Sequence, residues 1–237
     1  MKPTPADEPA EFDEFADDYG NLVNNSIRLS GETADYFARS RVAFLRTQLE
    51  RLRLPANRVL DYGCGVGLAG PLLLDGLNAQ HVHGVDVSPK SITNARRRNQ
   101  RREIVFDEVK AFVPTASFDL AYTSGVFHHI PPPQRPEAMK IIHDSLRPGG
   151  VVALWEHNPF NPGTRWAVYN CVFDKDAIII KPREAVAMVR EAGFEILGVR
   201  YLFIFPSFLR WFRPLEQRLS PFPVGAQYQV LGRKPTL

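Results

Sequence analysis

Between Val59 and Gly67 the chain reads VLDYGCGVG, and this stretch limits the fold more than any other. An apolar strand (Val59, Leu60) runs up to an acidic residue, Asp61, and then into glycines at every second position, Gly63, Gly65 and Gly67. Glycine lacks a Cβ, so the chain can turn sharply and backbone N–H groups can come close to a ligand. The apolar run LAGPLLLDGL that follows predicts a helix whose N-terminus faces that ligand. Strand, glycine turn and helix in this order read as the start of an α/β sheet that holds a nucleotide-type cofactor at the carboxyl ends of its strands.

Gly65, Gly67 and Gly70 also spell GxGxxG, so a dinucleotide-dependent oxidoreductase is one reading, and a non-catalytic protein with a glycine-rich βα turn is another. Asp61 argues for a third. A carboxylate two positions ahead of the first glycine would repel a pyrophosphate and attract the sulfonium and ammonium of S-adenosylmethionine. DYGCGVG resembles motif I, D/E-x-G-x-G-x-G, of the class I S-adenosylmethionine-dependent methyltransferases. FDLAYTSGVFHHI and LRPGG also stand where the small-molecule methyltransferases of that family have them, and the resemblance runs from about Phe12 to Arg233.

The resemblance implies a Rossmann-like α/β fold: a seven-stranded sheet, six strands parallel and one antiparallel, with helices on both faces and an N-terminal helical lid. The strands are expected at VLD, HVHGVD, EIVFD, SFDLAYTS, VVALWEH, FEILGVRYLFIF and, antiparallel, GAQYQVLGRKP. Ser88 is the expected N-cap of the helix after the second strand, with Pro89 in its first position. Asp86 lies 21 residues beyond Gly65 and ends the second strand, where a carboxylate can accept both ribose hydroxyls. The family pattern implies S-adenosylmethionine as cofactor and S-adenosylhomocysteine as product. It places them among Tyr19, Asp61, Gly63, Cys64, Gly65, Gly67, Asp86, Val87 and Thr123, with Asp107 at the adenine amine.

The length of 237 residues and 44% hydrophobic composition suit one domain with a full core. Residues 1 to 10 read as a disordered acidic leader and residues 11 to 237 as a single methyltransferase domain. Within it, residues 11 to 54 make the lid, and 157 to 180 and 203 to 222 are acceptor-side insertions. FDEFADDYG resembles the family's entry segment over the cofactor; otherwise it is a short amphipathic helix packed on the domain. A helix is expected from Ser30 to Leu54, and Tyr36 and Arg41 can reach a cofactor carboxylate from it. The net charge of +3 is uneven: residues 1 to 20 carry seven acids against Lys2, which leaves +9 for the rest.

Two cysteines, Cys64 and Cys171, make no disulfide framework and fit a reducing cytoplasm. No basic-then-apolar leader and no apolar run of membrane length is expected. The basic run Arg96 to Arg102 has no interleaved aromatics to stack bases, so it reads as a solvated helix face and nucleic acid as an unlikely partner. His81 and His83 have no third ligand nearby, so no metal is expected.

The acceptor is expected to be a small molecule such as a sugar, a quinone-like compound or a lipid-linked hydroxyl. His129 and Glu156, past the ends of the fourth and fifth strands, are the candidates to take its proton. EHNPFNPGTRW reads as a polar loop. Phe203 to Leu219, FIFPSFLRWFRPLEQRL, mixes aromatics with arginines. It is expected to form a core helix between the sixth and seventh strands; the alternative is a face for peripheral membrane contact. Oligomeric state has no signature in the sequence.

Overall fold

The computed structural model describes residues 25–171 and 177–236. The sheet is built around β1, Arg58–Tyr62, buried from Val59 onward. Side chains alternate between faces along each strand, and here both faces are covered. Val59, Val82, Leu120 and Val151 join one core with Val42, Leu45 and Leu49 of α1, Ala34–Leu52, and Leu73 and Leu74 of α2, Ala69–Gly76. Leu60, Val85, Ala121 and Val152 join the other core, with Met139 and Ile142 of the helix Arg135–Ser145 and Ala185 and Val189 of the helix Pro182–Glu191.

Parallel strands β2 (His81–Asp86), β3 (Ile104–Glu108), β4 (Phe118–Ser124) and β5 (Leu146–His157) follow, with α3 (Pro89–Arg98) between β2 and β3 and α4 (Arg135–Ser145) before β5. Then come α5 (Pro162–Tyr169), α6 (Pro182–Glu191), β6 (Glu195–Leu202), α7 (Glu216–Leu219) and β7 (Gln227–Arg233). The strand order is β3-β2-β1-β4-β5-β7-β6, and β7 runs antiparallel to both of its neighbours. Six strands are therefore parallel and one antiparallel, as expected. The order reverses between β1 and β4, which opens a crevice at their carboxyl ends.

Local chemistry sets several boundaries. Thr33 caps α1 by accepting from the Tyr36 amide, and Arg53 ends it in a left-handed conformation, φ 55, so the helix is shorter than Ser30 to Leu54. Ser88 and Pro89 start α3 as the sequence indicated. EHNPFNPGTRW is not a loop throughout, because the Asn161 side chain accepts from the Thr164 amide and Pro162 occupies the first turn of α5. The sixth strand stops at Leu202 because Phe203 adopts φ 63, which no strand tolerates.

The expected core helix after it is absent. Ser207–Leu215 forms 3₁₀ turns interrupted at Leu209, with Pro214 inside, and its large apolar side chains are exposed. It has no room between the sixth and seventh strands, which hydrogen-bond directly to each other. Tyr19, the acidic leader and the FDEFADDYG segment lie outside the described residues.

Candidate active site

Past Tyr62 the chain turns through positive φ at Gly63, Gly65 and Gly67. Two of these serve packing. A Cβ at Gly63 would meet Val126 at 2.4 Å, and one at Gly67 would meet Ala95, Asn99 and Phe106 at 2.9 Å. Gly65 differs: φ is 52 and a Cβ there would meet nothing within 4 Å, so it faces open space. Two backbone bonds pin the loop to β2, from the Gly63 and Cys64 amides to the Val85 carbonyl at 2.8 and 3.0 Å. Asp86 clamps it further. Its buried carboxylate accepts from the Gly65 amide at 2.8 Å and from the Ser88 amide at 2.9 Å.

Asp61 is buried at the strand end, and its Oδ2 has no hydrogen-bond partner among the described residues. Burial and the neighbouring Asp86 charge push its pKa up to about 7, with Arg41 pulling weakly the other way. Arg41 reaches over from α1, its guanidinium donating to the Tyr122 hydroxyl at 3.1 Å and to Gln227 Oε1 at 3.0 Å. Burial, then Asp61 and Asp86, also raises the Cys64 thiol well above its usual value, which leaves it protonated and unreactive.

Two adjoining cavities follow the loop. One, ≈ 300 Å³, is lined by Asp61, Cys64, Arg41, His128, His129 and His157 among others. The other, ≈ 230 Å³, is lined by Tyr62, Asp86, Val87, Ser91, Val109 and Ile130 among others. Gly63, Gly65, Val66, Ser124, Gly125 and His129 line both, so they form one trench. Gly67, Asp107 and Thr123 line neither. Asp107 is turned away: its Oδ2 pairs with His83 Nε2 at 2.9 Å and its Oδ1 with Arg96 at 2.8 Å. Thr123 is fully buried within the sheet, and Ser124 and Gly125 form the wall in its place.

At the ends of β4 and β5 a buried carboxylate holds one of three clustered imidazoles. Glu156 Oε1 accepts from the Phe127 amide at 2.9 Å, and Oε2 bonds His128 Nδ1 at 2.6 Å. The His128 ring lies 4.1 Å from that of His129 and 5.0 Å from that of His157. Glu156 does not face the cavity, contrary to expectation. Alternation along β5 sends Trp155 and His157 to one side and Glu156 to the other. Burial raises the Glu156 pKa, but the charges of His128 and His157 and the Phe127 amide bring it below the usual carboxylate value. Asn158, also buried, spends its amide on the carbonyls of Pro223 and Gly225. Gln227 lines the cavity without a motif to mark it, and of the His128–His129 pair after β4 it is His128 that Glu156 holds.

A third chamber, ≈ 310 Å³, opens from His157 and Gln227 and is walled by Tyr36, Phe37, Trp166, Phe203 and Phe205, with Arg213 and Glu32 at one side.

The profile of the family described as "Methyltransferase domain" matches residues 59–150, the stretch from β1 through the LRPGG turn. Residues 59–150 carry a methyltransferase domain. Among similar proteins is a trans-aconitate 2-methyltransferase of Azoarcus sp. (strain BH72), 33% identical over 121 residues, which cover 50% of this chain and 46% of that protein. A 24-methylenesterol C-methyltransferase 2 of Oryza sativa subsp. japonica is 26% identical over 232 residues, covering 87% of this chain and 62% of its own. The chain thus spans about half to two thirds of the length of these relatives. A Thermotoga maritima S-adenosylmethionine-dependent methyltransferase structure shares the fold, with a TM-score of 0.63 at 21% identity, over 94% of this chain and 98% of that one.

The cofactor of a methyltransferase domain of this class is S-adenosylmethionine, and the residues present fit it. The orphaned Asp61 oxygen suits an ammonium, the Arg41 guanidinium a carboxylate, and Asp86 a diol. Open space at Gly65 leaves room for the body of the molecule, and Tyr62, Val87 and Ile130 give apolar walls to a base.

Proposed function

We propose that the protein transfers a methyl group from S-adenosylmethionine to a small-molecule acceptor that has an apolar body and a hydroxyl. The observation that carries this reading is Asp61: a buried carboxylate whose Oδ2 has no hydrogen-bond partner among the described residues, on the wall of the cavity beside the glycine loop. Such a group is unfavourable until a cation neutralises it.

When bound, S-adenosylmethionine supplies a methyl group on a positively charged sulfur. The chain's own residues have three tasks. Asp86 and the Gly65 backbone hold the nucleoside end, while Asp61 and Arg41 hold the amino-acid end. The aromatic chamber next to His157 seats the acceptor and excludes water, which fixes the nucleophile in line. His128 then takes the hydroxyl proton. With Nδ1 donating to Glu156, the basic lone pair lies on Nε2, and the carboxylate stabilises the imidazolium that forms. Glu156 is the positioning residue, His157 is the shared wall between the trench and the acceptor chamber, and His129 lines both halves of the trench.

Isothermal titration tests the reading. S-adenosylhomocysteine should bind the wild type, NADH should not, and Asp61→Asn should weaken the former. Binding of NADH with none of S-adenosylhomocysteine would return the dinucleotide reading. Native mass spectrometry of the protein as purified is the direct route to the acceptor.

A further inference from the structure

The segment beyond β6 shows apolar side chains to solvent where a folded chain normally hides them. Phe208 is 65% exposed, Trp211 67%, Phe212 44% and Leu215 43%. All four lie within the 3₁₀ turns of Ser207–Leu215. Phe222 and Val224 in the next turn are exposed as well. Contiguous apolar surface of this kind marks an interaction site.

The segment is held rigidly. Arg213 donates to Glu32 at 2.6 Å, and its guanidinium lies 4.7 Å from the Tyr36 ring centroid. Glu216, the only acid from Ser207 to Val224, accepts from the Phe205 amide at 3.0 Å. Phe212 rests against Phe205, their ring centroids 5.7 Å apart, and Phe205 is a wall of the aromatic chamber. The cations Arg210 and Arg218 remain on the surface among the aromatics. The face is therefore apolar, basic and continuous with the mouth of the chamber.

We propose that this face docks on an anionic lipid bilayer. The rings of Phe208, Trp211 and Phe212 enter the headgroup layer, and Arg210 and Arg218 meet lipid phosphates. A second copy of the chain fits the charge less well, because a two-fold contact through this face would bring the same arginines toward each other.

Flotation of the full chain with vesicles of phosphatidylcholine alone, and of phosphatidylcholine with phosphatidylglycerol, is the test. The anionic vesicles should carry the protein at low salt, the neutral ones less, and high salt should release it. Replacing Phe208→Ser together with Trp211→Ser should abolish flotation with circular dichroism unchanged. The pair Arg210→Gln and Arg218→Gln should weaken it by about thirtyfold, since each basic group at such a surface contributes about 1 kcal/mol. Absence of flotation at low salt would overturn the proposal, and so would flotation unaffected by the aromatic pair. A concentration-dependent dimer in sedimentation that the aromatic pair dissolves would assign the face to a second copy instead. Since the vesicles are offered without cofactor or acceptor, either failure leaves the methyl-transfer reading standing.

Discussion

The Asp86 carboxylate accepts a hydrogen bond from the Gly65 amide at 2.8 Å, so the acid that faces the cofactor space also fixes the glycine turn that opens it. Its other oxygen holds the Ser88 amide at the start of α3. One side chain thus ties β1, β2 and α3 together at the crevice, which makes it both a binding group and a brace.

Asp86→Ala should therefore lose on two counts. S-adenosylhomocysteine affinity should fall by roughly 1.5 to 3 kcal/mol, the range for a hydrogen bond to a charged group. Melting temperature should fall as well, because the buried Ser88 amide and the half-buried Gly65 amide lose their acceptor. Calorimetry with parallel thermal melts separates the two effects, and unchanged affinity in a folded variant would remove Asp86 from the site.

Asp61 gives a pH dependence of known sign. Its folded pKa of about 7 lies above the ordinary 3.8, so its contribution to stability is full below that ordinary value and is lost as pH rises through about 7. At about 1.4 kcal/mol per unit, the ionised group costs the cofactor-free fold a few kcal/mol. Asp61→Asn should raise the melting temperature at pH 8 and change it little at pH 4, while weakening the cofactor. A wild-type cofactor affinity that weakens as pH falls below 7, with proton release on binding near neutrality, would follow from the same group. Melts showing no difference between the two proteins at pH 8 would contradict the buried, unpaired carboxylate.

Glu156→Gln keeps the shape of the buried pair and removes the charge. Turnover should fall by about 10- to 100-fold, as for loss of a group that orients a histidine, with cofactor affinity nearly unchanged. The limb of the pH-rate profile that reports the histidine should move to lower pH, since the imidazolium loses its counter-charge. An equal loss in cofactor affinity would put Glu156 in the cofactor shell instead.

The central part of the fold was legible because its signals are local. The glycine loop, the Ser88-Pro89 helix start and the apolar strands each carry their own chemistry, and the structure has them within a residue or two. Asn161-Pro162 was an equally local helix start that the polar composition around it obscured. The end of β6 was not readable, because a positive φ at Phe203 has no signature in a phenylalanine. The pairings that shape the site join residues far apart: Glu156 with His128, Arg41 with Gln227, Asp107 with His83 and Arg96. A motif names such residues singly, and only strand register decides which oxygen faces a cavity and which is spent on a neighbour.

Gly65 and Gly67 separate function from packing two residues apart. Both have positive φ, so any side chain at either is strained by roughly 1 to 2 kcal/mol. At Gly67 a Cβ would also meet Ala95, Asn99 and Phe106 at 2.9 Å, under the loop where α3 and β3 pack. Gly67→Ala should thus be the less stable protein, with whatever affinity it retains limited by folding. At Gly65 the space is open, so Gly65→Val should fold with only the backbone strain yet fill the room the cofactor needs. Thermal melts and S-adenosylhomocysteine titrations on the pair should cross: Gly67→Ala with the lower melting temperature, Gly65→Val with the lower affinity. If Gly65→Val binds as the wild type does, the open side of the glycine loop is not where the cofactor sits.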